Sequence, residues 1–226
     1  MKVMSNLDQI YLDDSRIVYP ESSIEIVDRL KSQKNLGKYV CAISGSFDVP
    51  HPGHKDQLRC FRELVAERIL QEDDTVSPTS KQIQDMVFGD QIFLMAVLDS
   101  NARLASRKGR DPTKGGAPRP IYDWSARAQQ IAGYMVYNGS TYRPLADLVT
   151  VADSQISGLD CCDTFVETQQ DLINYYGVTA EHPTDVATSL RIVGENRTVI
   201  LPAPRIIDPL TNEPYSSSEI VKRARS

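Results

Sequence analysis

The chain is predicted to be an α/β protein, a Rossmann-like parallel sheet of about five strands with helices on both faces. Three observations predict it. Short apolar runs alternate with amphipathic segments along most of the length, which is the pattern of repeated βα units. The runs YVCAIS (39–44) and IFLMAVL (92–98) are apolar without alternation, as strands covered on both faces must be. At 226 residues and 41% hydrophobic, the chain can bury one substantial core, so a single domain over 1–226 is expected.

Taken in order, residues 22–33 place Ile24, Val27 and Leu30 on one helical face behind a serine cap, and Gly37 follows. This reads as a helical extension over 1–37 ahead of the first strand at 39–44. From 54 to about 70, Leu58, Phe61, Leu64, Val65 and Ile69 recur at helical spacing. The polar stretch that follows is read as a surface insertion near 71–89 with a short helix at 81–87, and the second strand lies at 92–98. The Gly-, Pro- and Lys/Arg-rich stretch 99–120 is expected to be mostly loop. A helix is read over 123–138 and a weaker third strand over 147–153. Residues 161–177 are either one helix reaching Gly177 or a helix followed by a very short strand. RTVILP (197–202) is a strand stopped by proline, and 216–226 is a helix whose Ser216 and Glu219 have capping-box spacing.

Charge and cysteine usage exclude several classes. The net charge is −5 and the basic residues are scattered, which disfavours nucleic acid as a partner but leaves local phosphate recognition open. No apolar stretch has membrane length, and the start of the chain is polar and acidic, so a cytoplasmic location is expected. Cys41, Cys60, Cys161 and Cys162 lack metal-type spacing and are expected to be reduced.

One stretch concentrates chemistry. ISGSFDVPHPGHKDQLRC (43–60) holds two of the three histidines, His51 and His54, with Gly45, Asp48 and Gly53 around them. It joins a predicted parallel strand to a predicted helix start, where α/β sheets bind ligands and where helix amides favour phosphate. Two histidines one turn apart can aim two imidazole donors at one anion, and the glycines allow close backbone approach. Taken alone, an H-x-x-H spacing fits a structural pair as well as a phosphate site.

GSFDVPHPGH resembles the G-x-F-D-x-x-H-x-G-H signature of the cytidylyltransferase-like nucleotidyltransferases, through Gly45, Phe47, Asp48, His51, Gly53 and His54. With Ser46 it is similar to the motif of the glycerol-phosphate cytidylyltransferases and heptose-phosphate adenylyltransferases. Further along, the resemblance places Lys108 at the exit of the second strand, where a phosphate-binding lysine is expected. It runs on through Arg119, Pro120, Ile121 and Arg127 to YSSSEIVKRAR, which resembles a Ser/Thr-rich element that binds nucleotide phosphates. Two features depart from the family pattern. LTNEP (210–214) stands where cytidylyltransferases carry R-T-E-G, leaving Arg205 as the candidate replacement arginine, and YYGVTAEHPTD (175–185) alters a Gly-Asp element.

The resemblance implies transfer of a nucleotidyl group from CTP or ATP to a phosphorylated small molecule, with a sugar- or polyol-phosphate acceptor favoured and Mg²⁺ arriving on the nucleotide. It assigns catalysis to His51, His54, Lys108 and Arg127, and nucleotide binding to Ser44, Gly45, Ser46, Phe47, Asp48, Gly53, Ser216, Ser217 and Ser218. Three alternatives stay open. They are a choline- or ethanolamine-phosphate cytidylyltransferase, a nicotinamide mononucleotide- or pantetheine-type adenylyltransferase, and a non-catalytic nucleotide-binding protein of the same fold. His182 is a weak acceptor-site candidate, and a homodimer is compatible with all of these.

Overall fold

The computed structural model describes residues 15–18, 23–73, 77–108, 119–137, 139–152, 162–179, 183–202, 206–209, 212–213, 215 and 220. The elements run α1 (Ser23–Asn35), β1 (Tyr39–Gly45), α2 (Pro52–Asp73), α3 (Ser80–Phe88), β2 (Ile92–Asp99), α4 (Asn101–Lys108) and α5 (Trp124–Ala132). After a two-stranded antiparallel hairpin, β3 (Met135–Tyr137) and β4 (Tyr142–Pro144), come β5 (Leu148–Ala152), α6 (Cys162–Thr168), β6 (Tyr175–Thr179), α7 (Pro183–Val193) and β7 (Thr198–Leu201). The main sheet is five-stranded and all parallel, in the order β5-β2-β1-β6-β7. The fold class is therefore the α/β parallel sheet that the alternating pattern predicted.

Both faces of the sheet are covered, which explains the unbroken apolar runs. In β1, Cys41 and Ile43 face a core built with Leu58, Phe61 and Val65 of α2 and Ile131 of α5. Val40 and Ala42 face the opposite core, with Ile26 and Leu30 of α1, Phe165 and Val166 of α6 and Ile192 of α7. Both cysteines described with side chains, Cys41 and Cys60, are buried.

Several expectations are corrected. The buried face of α1 carries Ile26 and Leu30, four residues apart, while Ile24 is 76% exposed; an i, i+4 pair lies on one stripe more nearly than the 24-27-30 series does. The stretch after β2 opens with helix α4, because the Ser100 hydroxyl accepts from the Arg103 amide at 3.1 Å and Leu104 is buried. Residues 109–118 of that stretch lie outside the described residues. The helix read over 123–138 stops at Ala132, and the chain then turns into the β3–β4 hairpin. Of the two readings for 161–177, the helix followed by a strand is correct.

At the N-terminal edge of the sheet, Arg62 of α2 is fully buried. It donates to the Leu145 carbonyl at 2.7 Å and the Ile92 carbonyl at 3.2 Å, and it pairs with Asp147, whose carboxylate also accepts from the Leu94 amide at 2.8 Å. One guanidinium thus ties α2 to the starts of β2 and β5.

Candidate functional site

In this strand order the connections leave in opposite directions from β1, whose neighbours are β2 and β6. The carboxyl end of β1 lies at that switch point, where a crevice opens in such sheets. The loop 46–51 starts there and delivers the chain to the first turn of α2.

The loop has an unusual backbone and is held on both sides. Phe47 has φ of 42°, a left-handed conformation that a bulky residue adopts only when its surroundings impose it. Its ring is buried and lies over Gly45, where an added Cβ would come within 3.0 Å of the ring. Before Phe47, the Ser46 carbonyl accepts from Arg127, a fully buried residue of α5 that also donates to the Asp99 carbonyl at 2.8 Å and the Asn101 side chain at 2.9 Å. After Phe47, the fully buried Asp48 pairs with the buried Arg119 and accepts from the Ile121 amide at 2.9 Å. The two arginines clamp the strained residue from either side. Arg127 thereby joins the loops after β1 and β2, and Asp48 holds the RPI segment against the histidine loop.

His51 and His54 come together at the start of α2. Their rings stack with centroids 3.8 Å apart and planes 24° from parallel, and Phe47 meets His54 edge-on at 5.1 Å. His51 is 8% exposed, its carbonyl accepts from the Tyr134 hydroxyl at 3.1 Å, and its Nδ1 has no hydrogen-bond partner among the described residues. Burial lowers its pKa from 6.5 to about 4, so the ring is neutral near pH 7 and carries one N–H donor. Gly53 makes the packing feasible, because a Cβ there would lie 3.0 Å from both Nδ1 and Cε1 of His51 and 3.3 Å from the Tyr215 Cβ. In the folded chain the absence of a side chain at Gly53 makes room for the imidazole.

Two residues from late in the chain, Tyr215 and Ile220, meet this loop. The Tyr215 ring stacks on His51 at 5.8 Å, and Ile220 packs on Val49. Ser44 shares a 2.5 Å hydrogen bond with the hydroxyl of the buried Tyr176, which fastens the end of β1 to β6. The structure therefore gathers Ser44, Gly45, Ser46, Phe47, Asp48, His51, Gly53, His54 and Arg127 in one place. Lys108 is the last residue of α4, and its side chain lies outside what is described. Ser216, Ser217, Ser218, Arg205 and His182 also lie outside the described residues.

Tyr134, Tyr176 and Tyr215 are the participants that sequence reasoning missed as parts of the site. Only Tyr215 had a local signal, its position directly before the Ser-rich element. Among the described residues, no group of three His, Cys, Asp or Glu side chains is arranged to hold a metal ion, and no helix is long and apolar enough to cross a membrane.

The packing predicts a titration. Between pH 6.5 and about 4 the unfolded chain binds a proton that folded His51 refuses, so this contribution to stability is fully present above pH 6.5 and is lost as pH falls toward 4. In an NMR pH titration one imidazole should titrate near pH 4, and Gly53→Ala, by pushing the ring outward, should move it back toward 6.5. A His51 that titrates at 6.5 in the unaltered protein would refute the buried placement.

No protein-family model matches the chain, and comparison with the curated proteins finds no match.

Proposed function

We propose that the chain is a nucleotidyltransferase that joins CTP or ATP to a phosphorylated small molecule, giving a nucleoside-diphosphate derivative and pyrophosphate. The observation that carries this reading is the stacked His51–His54 pair at the first turn of a 22-residue helix, directly beyond the carboxyl end of β1. Helix amides, the helix dipole and two imidazole donors together suit a polyphosphate. The resemblance to the cytidylyltransferase-like nucleotidyltransferases supports the same reading.

In the proposed reaction an oxygen of the acceptor's phosphate forms a bond to the α-phosphorus of the nucleotide. The bond from that phosphorus to the bridging oxygen breaks, and pyrophosphate leaves with the electron pair. The acceptor is already largely dianionic near neutral pH, its second pKa being about 6, so no side-chain nucleophile is needed. The protein's contribution is positioning and electrostatic stabilisation. His51 and His54 would donate to the triphosphate as charge develops, and Lys108 would add phosphate charge. Arg127, committed to three oxygens of the loops around it, would act by holding those loops in place. Ser216, Ser217 and Ser218 would hold outer phosphate oxygens. Mg²⁺ would be carried on the triphosphate oxygens and supply charge neutralisation there.

A pyrophosphate-release assay tests the proposal by pairing CTP and ATP with glycerol 3-phosphate, heptose 1-phosphate, phosphocholine, phosphoethanolamine and nicotinamide mononucleotide. Turnover with a sugar or polyol phosphate is the expected result. Calorimetric nucleotide binding without pyrophosphate release from any pair would replace the enzyme by a nucleotide-binding protein.

A further inference from the structure

Beside the histidine loop, on the side of α5 and the β3–β4 hairpin, lies an open groove of about 1070 Å³. Its size is that of a pocket for a sizeable small molecule. Tyr134, Met135, Val136, Tyr142 and Ile206 supply its apolar surface, and His51 and Lys55 stand at the start of α2 on the same groove. Tyr142 is 70% exposed, and its ring lies 4.8 Å from that of the half-exposed Tyr137, so an aromatic pair borders the groove in contact with water.

The charged groups divide into a paired cluster and a lysine apart from it. Asp56 and Arg59 line the groove, and Arg59 is shared between Asp56 at 2.7 Å and Glu63 at 3.3 Å. Lys55 is exposed and makes no ion pair with a described residue. It sits on the first turn of α2, where the helix dipole adds to its positive charge, and lines the same groove as His51. The groove thus has an apolar body and one cationic end.

We propose that this groove binds a free amphiphilic phosphate monoester, with the apolar part against Tyr134, Met135, Val136 and Ile206 and the phosphate at Lys55. The proposal stands independently of nucleotidyl transfer, because it concerns a binding step that is read without nucleotide. A merely anionic ligand would leave the apolar wall in water, and a merely apolar one would leave Lys55 unused.

Calorimetry without nucleotide, comparing octyl phosphate, inorganic phosphate and octyl glucoside, tests it. Octyl phosphate is expected to bind roughly tenfold or more tightly than either, since a few buried methylenes suffice for that factor. Lys55→Ala should lower octyl phosphate to the level of octyl glucoside, and Val136→Asp should abolish binding of both. Tyr142→Asp, at a largely exposed side chain, keeps the apolar arm readable if Val136→Asp fails to fold. Equal affinity for octyl phosphate and inorganic phosphate, or for octyl phosphate and octyl glucoside, would overturn the proposal. So would co-sedimentation with phosphatidylglycerol vesicles in the absence of octyl phosphate binding, or a dimer by light scattering that takes up no octyl phosphate.

Discussion

Replacing His54 by alanine is expected to lower kcat by roughly 10²–10³-fold, the range for losing one donor to a developing oxyanion. Nucleotide affinity should change much less, because the helix amides and His51 remain. Alanine suits the first turn of α2, and the buried anchors of that helix, Leu58, Phe61 and Val65, are untouched, so the variant should fold. His54 lies between Phe47 at 5.1 Å and His51 at 3.8 Å, which leaves its ring little choice of orientation. A preoriented donor contributes more to a transition state than to ground-state binding. Steady-state kinetics with nucleotide affinity measured by calorimetry checks this. Intact kcat with an equal loss of binding would move His54 from catalysis to simple affinity.

Arg62→Ala is expected to destabilise the fold by about 3–5 kcal/mol, the range for removing one partner of a buried ion pair. Arg62 is completely buried, and its removal leaves the Leu145 and Ile92 carbonyls without that donor and takes from Asp147 the nearer of its two guanidinium partners. The Leu94 amide would still reach Asp147, and Arg143 would still donate to the Ile92 carbonyl at 3.2 Å and stand 3.7 Å from Asp147, so part of the network survives. Equilibrium urea unfolding reads the effect as a lower midpoint at unchanged slope. Lys81→Ala serves as a control, because Lys81 pairs with Asp85 on an exposed face of α3 and such pairs contribute little. A loss at Arg62 no larger than at Lys81 would mean that the sheet edge is held by packing alone.

The two predictions differ in how readable their residues were. His54 was singled out from H-x-G-H spacing next to a strand end, which is local information. Arg62 lies within a helix whose apolar spacing is clear, but nothing local says that it faces inward. Its partners are 30, 83 and 85 residues away in the chain. The β3–β4 hairpin was legible and missed. VYNGSTY has an Asn-Gly turn signal between β-forming residues, but it directly follows a helical pattern that was extended too far. Helix α7 had a proline at its first position and Asp185 in its first turn, signals that went unused.

By itself the sequence determined the alternating α/β class, the two central strands, the helix after the first of them, and the stretch where His51 and His54 stand one turn apart. These depend on the chain's own periodicity, since burial on both faces demands continuous apolar runs and an amphipathic helix demands its repeat. Only the tertiary structure decided that Gly53 yields space to an imidazole, that Arg127 and Asp48 clamp Phe47 in a left-handed conformation, and that Tyr134 and Tyr215 border His51. The reason is physical. A buried guanidinium or carboxylate takes its partners from whatever chain the sheet order brings beside it, and its own neighbours in sequence do not specify them.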